Sequence, residues 1–181
     1  YSLVEQVNDR GVFSFCMCPG GLIVPASTAP GEIVVNGMSL SRRDSLFANS
    51  GVVTSVELED LAEYKNEGPL MGVAFQRSVE QRMFQVGDGT QAAPAQRITD
   101  FIKRRESEHL PVTSYIPGIF PAPLHELLPS WIYERLAYGI RGFDHKMNGF
   151  IYPDAIVVAT ESRTSSPVRI PRHASNGMHI E

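Results

Sequence analysis

Residues 12–18, VFSFCMC, are the stretch that decides the fold, because β-branched and aromatic side chains favour a pleated strand. Three further short runs have the same character: GLIV at 21–24, EIVV at 32–35 and VVTSVEL at 52–58. PGG at 19–21 and APG at 29–31 supply the turns between them. A parallel pair needs a long crossover, so strands joined this closely should pair antiparallel. We predict a meander of three or four strands within a β-rich region, residues 12–58.

A helical region is expected over residues 69–142. Its first helix is predicted from apolar residues at helical spacing, with a proline suited to the start and a glycine to the end: Pro69, Met71, Phe75, Val79, Met83, Val86 and Gly87. A second helix is predicted over 95–104 and an irregular, proline-rich loop over 110–123. A third helical region is expected over 124–140, split at Pro129, with Trp131 and Leu136 facing inward.

The remaining residues return to strand character. AIVVAT at 155–160 and PVRI at 167–170 predict two strands, and MHIE at 178–181 indicates another that is cut short, within a β region spanning 155–181. Strands, then helices, then strands are typical of an α+β fold. We expect an antiparallel or mixed sheet of short strands with about three helices packed on it. Residues 1–181 should form a single domain, a fragment of a larger protein.

Composition excludes several classes of protein. Of the 181 residues 43% are apolar and 20% charged, with a net charge of −4, as in an ordinary globular domain. This balance gives no basic surface for nucleic acid or an anionic membrane. No apolar run approaches the roughly 20 residues that span a bilayer, and no signal-peptide pattern begins the chain. We expect a cytoplasmic protein.

Cys16 and Cys18 are the first candidates for chemistry. On a strand, residues two apart share a face, so both sulfurs should point to one side. A disulfide between them would be strained, and zinc would need about four ligands, which the scattered histidines do not provide. Three interpretations stay open: buried apolar cysteines, reduced thiols facing a site, and, least favoured, a metal site.

Two polar segments could also line a site: NGMSLSRRD at 36–44 and ESRTSSPVR at 161–169. Arginine presents a rigid fork of donors that suits a carboxylate, a phosphate or a reduced flavin ring. The plainer interpretation is a solvated turn in each case. No G-x-G-x-x-G, Walker A or G-x-S-x-G pattern accompanies them.

Five segments carry a resemblance to a known family: FCMCPGG at 15–21, VVNGMS at 34–39, APAQR at 93–97, ELLP at 126–129 and ESRTSSPVR at 161–169. We call them the landmark segments. In this order they resemble a bacterial family of uncharacterised FAD-dependent dehydrogenases. The resemblance covers nearly the whole chain.

The resemblance implies that this chain is inserted into, or caps, a Rossmann-type FAD domain. Members of the family carry one Gly-rich segment upstream of the Cys-Met-Cys landmark and a second after the last landmark, both outside residues 1–181. FAD is therefore expected in the parent protein and none on this fragment alone. The expected partners are the missing FAD-binding domain and a small-molecule substrate, with no nucleic acid and no membrane.

The resemblance also implies roles for particular residues. The expected catalytic residues are Arg163, Cys16 and Cys18; the expected cofactor contacts are Arg163, Ser165, Ser166 and Arg169; the expected substrate contacts are Asn36, Arg43 and Asn49; and no metal is expected. The function this implies is the substrate-binding or cap region of an FAD-dependent oxidoreductase, inactive without the rest of that protein. The alternatives are a non-catalytic interaction domain on a flavoprotein scaffold and, less favoured, a thiol redox protein.

Overall fold

The computed structural model describes residues 3–163 and 171–178. Within them the strands are β1 Leu3–Val7, β2 Arg10–Pro19, β3 Gly21–Pro25, β4 Val35–Ser39, β5 Ala48–Thr54, β6 Ala93–Arg97, β7 Ile119–Pro121 and β8 Ile156–Val158. The helices are α1 Met71–Gln85, α2 Ile98–Lys103, α3 Leu124–Leu127 and α4 Ser130–Lys146, and 3₁₀ turns occupy Leu58–Leu70. The α+β class predicted from the sequence is confirmed: short strands in antiparallel and mixed sheets accompany a few helices.

The first sheet has the order β1-β2-β5 and is antiparallel throughout. Strand β1 was not predicted from the sequence, and its hairpin with β2 turns on Asn8 and Asp9. Both residues have positive φ, 48° and 61°. This is the conformation that a two-residue type I′ turn requires, and Asn and Asp tolerate it better than other side chains.

The predicted single meander is wrong, because β3 and β4 form a separate two-stranded ribbon between β2 and β5 in the chain. Residues 32–34, expected in a strand, precede β4 instead. Their backbone groups bond outside any sheet: Ile33 N–H donates to the Glu80 carbonyl, 3.2 Å, and Val34 N–H to Ser27 Oγ, 2.9 Å. The strand predicted at 52–58 also ends early, at Thr54.

The helix predicted from residue 95 is wrong in its first turn. Ala93–Arg97 is strand β6, parallel to β7 and antiparallel to β8, and α2 begins only at Ile98. Pro94 lacks an N–H but still accepts from Ala159 N–H, 3.1 Å, so the strand keeps its pairing with the chain beyond β8. The predicted irregular loop at 110–123 likewise contains the short strand β7.

The first predicted helix is confirmed as α1, and the predicted break at Pro129 is confirmed as the boundary between α3 and α4. The inward face of α4 differs from the prediction: Tyr133, Ala137 and Ile140 are buried. Trp131 is half-buried and stacks on Phe75, with 5.7 Å between ring centroids. The buried face of α4 is therefore rotated relative to the predicted face, which had Trp131 and Leu136 inward.

One apolar cluster forms the core. Its members come from the four α-helices, from strands β4 and β6, and from loops next to β4, β7 and β8: Ile33, Val35, Val79, Met83, Ala93, Ile98, Phe101, Tyr115, Leu124, Leu128, Tyr133, Ala137, Ile140 and Ala159. At the carboxyl end, β8 confirms a strand within the predicted 155–160. The strand predicted at 167–170 lies outside the described residues. Met178 is not in a strand, and residues 179–181 lie outside as well. No helix in the described part of the chain is long and apolar enough to cross a bilayer.

Helix α4 packs closely on the first sheet at Gly139. A Cβ added there would lie 2.8 Å from the Cβ of Val12, which is fully buried. We expect Gly139→Ala to lower the free energy of unfolding by about 1–2 kcal/mol, because overpacking outweighs the better helix propensity of alanine. Gly72→Ala in α1 is the matched control: nothing lies within 4 Å of its added Cβ. That variant should gain up to about 1 kcal/mol. Urea denaturation of both variants measures this, and equal signs would contradict the close packing.

Candidate functional site

The two cysteines do not share a face, contrary to the prediction. The β2–β5 register shifts between Phe15 and Cys18, and Cys16 has a φ of 48°, so an extra residue bulges out of the strand. Cys16 is exposed, whereas Cys18 is buried and donates from its thiol to the Cys16 carbonyl, 3.1 Å. Both thiols are free. The bulge shifts the in–out alternation of side chains by one residue, so Cys16 and Cys18 do not point to the same side as predicted.

Asn49 lies opposite Cys18 on β5 and carries a buried amide. Among the described residues, neither its Oδ1 nor its Nδ2 has a hydrogen-bond partner. The amide fits against two glycines: a Cβ on Gly21 would lie 2.9 Å from Nδ2, and a Cβ on Gly37 would overlap Oδ1. A buried polar group without a partner costs about 1–3 kcal/mol, so we expect an ordered water or a bound group to satisfy this amide.

Arg43 and Asn36 have exposed side chains at different ends of the β3–β4 ribbon, because Asn36 pairs with Val24 whereas Arg43 lies beside Gly20. We call the strands β1 to β5 together the β layer. The backbone of Arg43 contacts Gly20, directly after β2, and Asn36 precedes Gly37 on β4. The structure thus brings Cys18, Arg43 and Asn49 near the turn between β2 and β3, with Cys16 in the adjacent bulge. Their side chains do not all converge, because the amide of Asn49 is buried while Cys16, Asn36 and Arg43 face outward.

Arg163 belongs to an arm, residues 159–163, that runs from beside β6 to beside β4. Ala159 N–H donates to the Pro94 carbonyl, 3.1 Å, and the Thr160 carbonyl accepts from Val35 N–H, 2.9 Å. The guanidinium then contacts two buried carboxylates. Its Nη2 lies 2.6 Å from Oε2 of Glu80 and 3.0 Å from Oε2 of Glu32. The arm is therefore anchored to α1 and to the segment before β4.

The anchor uses most of the arginine's hydrogen-bonding capacity. Arg163 donates from Nε and Nη2 to Glu80, from Nη2 to Glu32 and from Nη1 to Thr28 Oγ1, which is four of its five N–H groups. The side chain of Glu80 is 1% exposed and that of Glu32 5%. Burial alone would raise the pKa of Glu80, but hydrogen bonds from Arg163, Ser162 and Gln76 outweigh it and leave that pKa below its usual value.

Glu161, in the same arm, has the opposite environment. A Cβ added to Gly51 would lie 2.5 Å from Glu161 Oε2 and 3.1 Å from a ring carbon of Phe15, so the carboxyl rests on the bare backbone of β5 beside an aromatic ring. Burial raises the pKa of Glu161. No role was predicted for this residue from the sequence. The available signal was Gly51, a glycine inside a strand, which often marks a close approach.

The other predicted cofactor contacts, Ser165, Ser166 and Arg169, lie outside the described residues. The landmark segment 93–97 takes part in a buried polar network that reaches the residue directly before the landmark segment 126–129. Gln96 is fully buried; its Nε2 donates to the Arg105 carbonyl, 2.5 Å, and to His125 Nδ1, 2.8 Å. His125 N–H lies 3.4 Å from Gln96 Oε1. Because Nδ1 accepts, the proton of the neutral ring is on Nε2.

In the described part of the chain the possible metal ligands are scattered, and a hollow beside β6 is open to solvent. In the described ranges no three His, Cys, Asp or Glu side chains are grouped so that they could hold a metal ion. An open hollow of about 460 Å³ is lined by charged side chains of the chain after β6. Several of these pair with acidic side chains: Arg97 lies 3.0 Å from Asp154, and Arg105 lies 3.0 Å from Asp100.

Comparison with known proteins adds two findings. The model of the family described as FAD-dependent protein, C-terminal domain-like, matches residues 1–164. An uncharacterized protein of Clostridium beijerinckii is 45% identical over 179 residues, which cover 97% of this chain. The same alignment covers 33% of that protein, so the chain spans about a third of the length of the curated relative it matches.

Proposed function

Because this chain belongs to the FAD-dependent protein, C-terminal domain-like family, we propose that it is the substrate-facing, cap region of an FAD-dependent oxidoreductase, a dehydrogenase. The match over residues 1–164 is the observation that carries this proposal. The flavin and its phosphates are then held chiefly by another part of a longer protein. The substrate is a small molecule, neither nucleic acid nor membrane is a partner, and two free thiols suit the reducing cytoplasm.

We propose that this part of the chain faces the isoalloxazine end of the flavin. The amide of Asn49 is buried against Gly21 and Gly37, so it would act on the ring by fixing the strands beside it. Glu161, Cys16, Asn36 and Arg43 add polar groups around the same layer of strands. The pyrophosphate end has no such fit, because the sequence holds no G-x-G-x-x-G, and Gly87 and Gly89 follow a helix rather than a strand.

In this assignment the bound flavin supplies the two-electron chemistry, and the chain binds and orients the substrate against it. Asn49 would fix the strands beside the ring, and the exposed Cys16, Asn36 and Arg43 would face the substrate. Arg163 fixes the arm that leads toward Ser165, Ser166 and Arg169. Those three residues are the proposed contacts nearest the ring, by resemblance.

One observation favours a second candidate, a non-catalytic interaction domain on the same scaffold. Several apolar side chains are highly exposed: Leu46 is 98% exposed, Ile116 91% and Val112 84%. Large exposed apolar residues are typical of surfaces that contact another protein. In that case the longer protein would bind FAD with no contribution from residues at the β layer.

Titration with FAD tests the proposal. We expect the longer protein to bind FAD stoichiometrically and to show the yellow flavin spectrum. The separate chain 1–181 should stay colourless and give no quenching at low micromolar FAD, because it lacks a phosphate cradle at a helix N-terminus. Visible absorption and fluorescence quenching measure both.

Failure of the longer protein to bind FAD would contradict the proposed function. Stoichiometric binding by the separate chain would contradict the division of labour between the two parts. Asn49→Leu in the longer protein separates the two candidates: weaker FAD binding supports the substrate-facing role, and unchanged binding supports the interaction domain. Asn66→Leu, in the exposed part of the 3₁₀ turns, is the control.

A further inference from the structure

We propose that the outer face of the β3–β4 ribbon, with two loops beside it, is the surface against which the rest of the longer protein docks. Six apolar side chains form it: Leu22, Val24, Met38, Leu46, Val112 and Ile116. We call it the ribbon surface. That the docked part is the one that holds the flavin rests on the proposed function, whereas the surface itself follows from the packing of this chain.

The β3–β4 ribbon carries apolar side chains on both of its faces. Ile23 of β3 and Val35 of β4 lie on the inner face, where they belong to the apolar core or pack against it. Side chains alternate between the two faces of a strand, so Leu22, Val24 and Met38 lie on the outer face. Leu22 pairs with Met38 across the ribbon, and Met38 is exposed. The core therefore covers one of two apolar faces.

The sequence of β3 is typical of a strand that is covered on both sides. A strand with one face in water usually alternates apolar and polar residues, whereas residues 22–24, LIV, are an unbroken apolar run. Such a run is consistent with a strand buried on both faces. A two-stranded ribbon also has little stability of its own and depends on what packs against it. We therefore expect the outer face to be covered.

Two loops extend this apolar face along the free edge of β3. Gly21 N–H donates to the Phe47 carbonyl, 3.0 Å, and Ile23 N–H donates to Ser114 Oγ, 2.9 Å. N–H groups two residues apart point to the same side of a strand, so both loops lie along the edge that does not pair with β4. Two residues of a strand span about 7 Å. The two loops are therefore neighbours.

Leu46 belongs to the first of these loops, and its backbone is fixed. Ser45 Oγ donates to the Gly21 carbonyl, 3.1 Å, and accepts from Phe47 N–H, 3.2 Å. The Phe47 carbonyl accepts from Gly21 N–H, so both neighbours of Leu46 are bonded to the start of β3. The leucine between them is almost wholly exposed. An anchored backbone, not a frayed loop, thus presents this side chain.

The second loop presents Val112 and Ile116 in the same way. Tyr115 is buried, and its hydroxyl donates to the Gln91 carbonyl, 2.9 Å. Ser114 beside it is bonded to β3. These two residues fix the loop, whereas Val112 and Ile116 on either side of them are highly exposed. Large apolar side chains grouped on one surface are typical of a contact with another folded unit.

The chemistry of the ribbon surface favours a permanent occupant. None of its six side chains carries a charge. Interfaces that stay closed are more hydrophobic than interfaces that form and separate again. The cover is therefore another part of the same protein or a second copy of it.

The rest of the longer protein is the better fit of these two. About two thirds of the curated relative lies outside the part that aligns with this chain, which leaves ample chain to cover the surface. A partner in the same chain acts at an effective concentration on the order of millimolar when the linker is short. A surface covered in this way is not open to another protein, so its apolar residues then cease to favour the second candidate function.

Hydroxyl-radical footprinting of the longer protein tests the ribbon surface. The oxidation rate of a side chain follows its exposed area, and mass spectrometry measures each rate against that of the denatured protein. Burial at the centre of an interface should slow Leu46 and Ile116 by about fivefold or more. Leu58, which is 74% exposed in the 3₁₀ turns and outside the ribbon surface, is the internal control and should stay fast.

Two aspartates at the surface provide a second test. Leu46→Asp combined with Ile116→Asp should leave the fold of residues 1–181 intact, because both side chains are almost wholly exposed in this chain. In the longer protein the two buried charges should open the interface and raise the oxidation rate of Val112 by about fivefold or more. Leu58→Asp is the matched control and should leave the Val112 rate unchanged.

Three results would contradict the proposal. Oxidation of Leu46 and Ile116 as fast as that of Leu58 in the longer protein would overturn the ribbon surface as an interface. So would a Val112 rate that the two aspartates leave unchanged. Protection that disappears on dilution, together with a dimer in light scattering, would overturn the proposed occupant in favour of a second copy.

The FAD content of the same sample separates the interface from the proposed function. A protein that binds FAD and leaves the ribbon surface open would overturn the interface alone. A protein that protects the surface and binds no FAD would overturn the proposed function, while the interface would stand.

Discussion

Replacement of Arg163 by alanine is expected to lower the melting temperature by about 10 °C. The change removes the guanidinium from two carboxylates that are 1% and 5% exposed, Glu80 and Glu32. Removing one member of a buried ion pair costs about 3–5 kcal/mol, because the remaining charge stays buried without compensation. For a chain of this size each kcal/mol corresponds to about 2–4 °C. Differential scanning calorimetry at neutral pH measures the loss.

Arg42→Ala is the matched control, since Arg42 is exposed and its loss should change the melting temperature by about 1 °C or less. Arg163→Lys should fall between wild type and Arg163→Ala, because a single ammonium cannot reach both carboxylates with a planar fork. Arg163→Met combined with Glu80→Met should lose less than the two single losses added together. A melting temperature of Arg163→Ala equal to that of the wild type would show that the anchor carries no stability.

The expected result separates two roles of Arg163, a contact with the flavin and an anchor for the arm. Its position in the last landmark segment predicts a contact with the flavin, and that contact stays a prediction. Four of its five N–H groups are already bonded within the chain, so its main effect should be on the position of the arm. A positioning residue alters flavin reduction only through the arm. Arg163→Lys should therefore keep the wild-type flavin midpoint potential while it restores only part of the stability lost in Arg163→Ala.

The fold class and the main helices were predictable because they depend on periodicity. Residues of α1 repeat at helical spacing, and Pro129 interrupts the third helical region at the boundary the structure shows. The errors arose where tertiary partners override local preference. Residues 93–97 are buried between β7 and β8, and this pairing determines a strand where composition indicates the start of a helix.

The sequence predicted candidate residues for a site but not how they are arranged. The landmark segments are spread over the β layer, strand β6 and the end of α3. The bulge at Cys16 separates two thiols that strict alternation would align. Ion pairs between residues 83 positions apart, as between Glu80 and Arg163, leave no local signal. Glu161 likewise looks like an exposed loop carboxyl in the sequence, because its burial depends on a contact with Gly51, which is distant in the chain.

Replacement of Gln96 by methionine is the second large expected effect, a loss of about 3 kcal/mol or about 10 °C in melting temperature. Methionine keeps the volume of the side chain but makes no hydrogen bonds. The Arg105 carbonyl and His125 Nδ1 would each lose a donor at 2.5 Å and 2.8 Å, inside a site where Gln96 is fully buried. Each unsatisfied buried group costs about 1–3 kcal/mol.

Two further variants decide whether this network is structural. Gln85→Met, at the exposed end of α1, should leave stability within about 0.5 kcal/mol and is the control for the substitution itself. Gln96→Glu should also destabilise the protein at neutral pH, because a carboxylate cannot donate to the Arg105 carbonyl or to Nδ1. In the longer protein, both Gln96 variants should keep the flavin midpoint potential of the wild type at temperatures where they remain folded. A changed potential with an unchanged melt would instead place Gln96 and His125 at the flavin, and would move the functional site from the β layer toward α3.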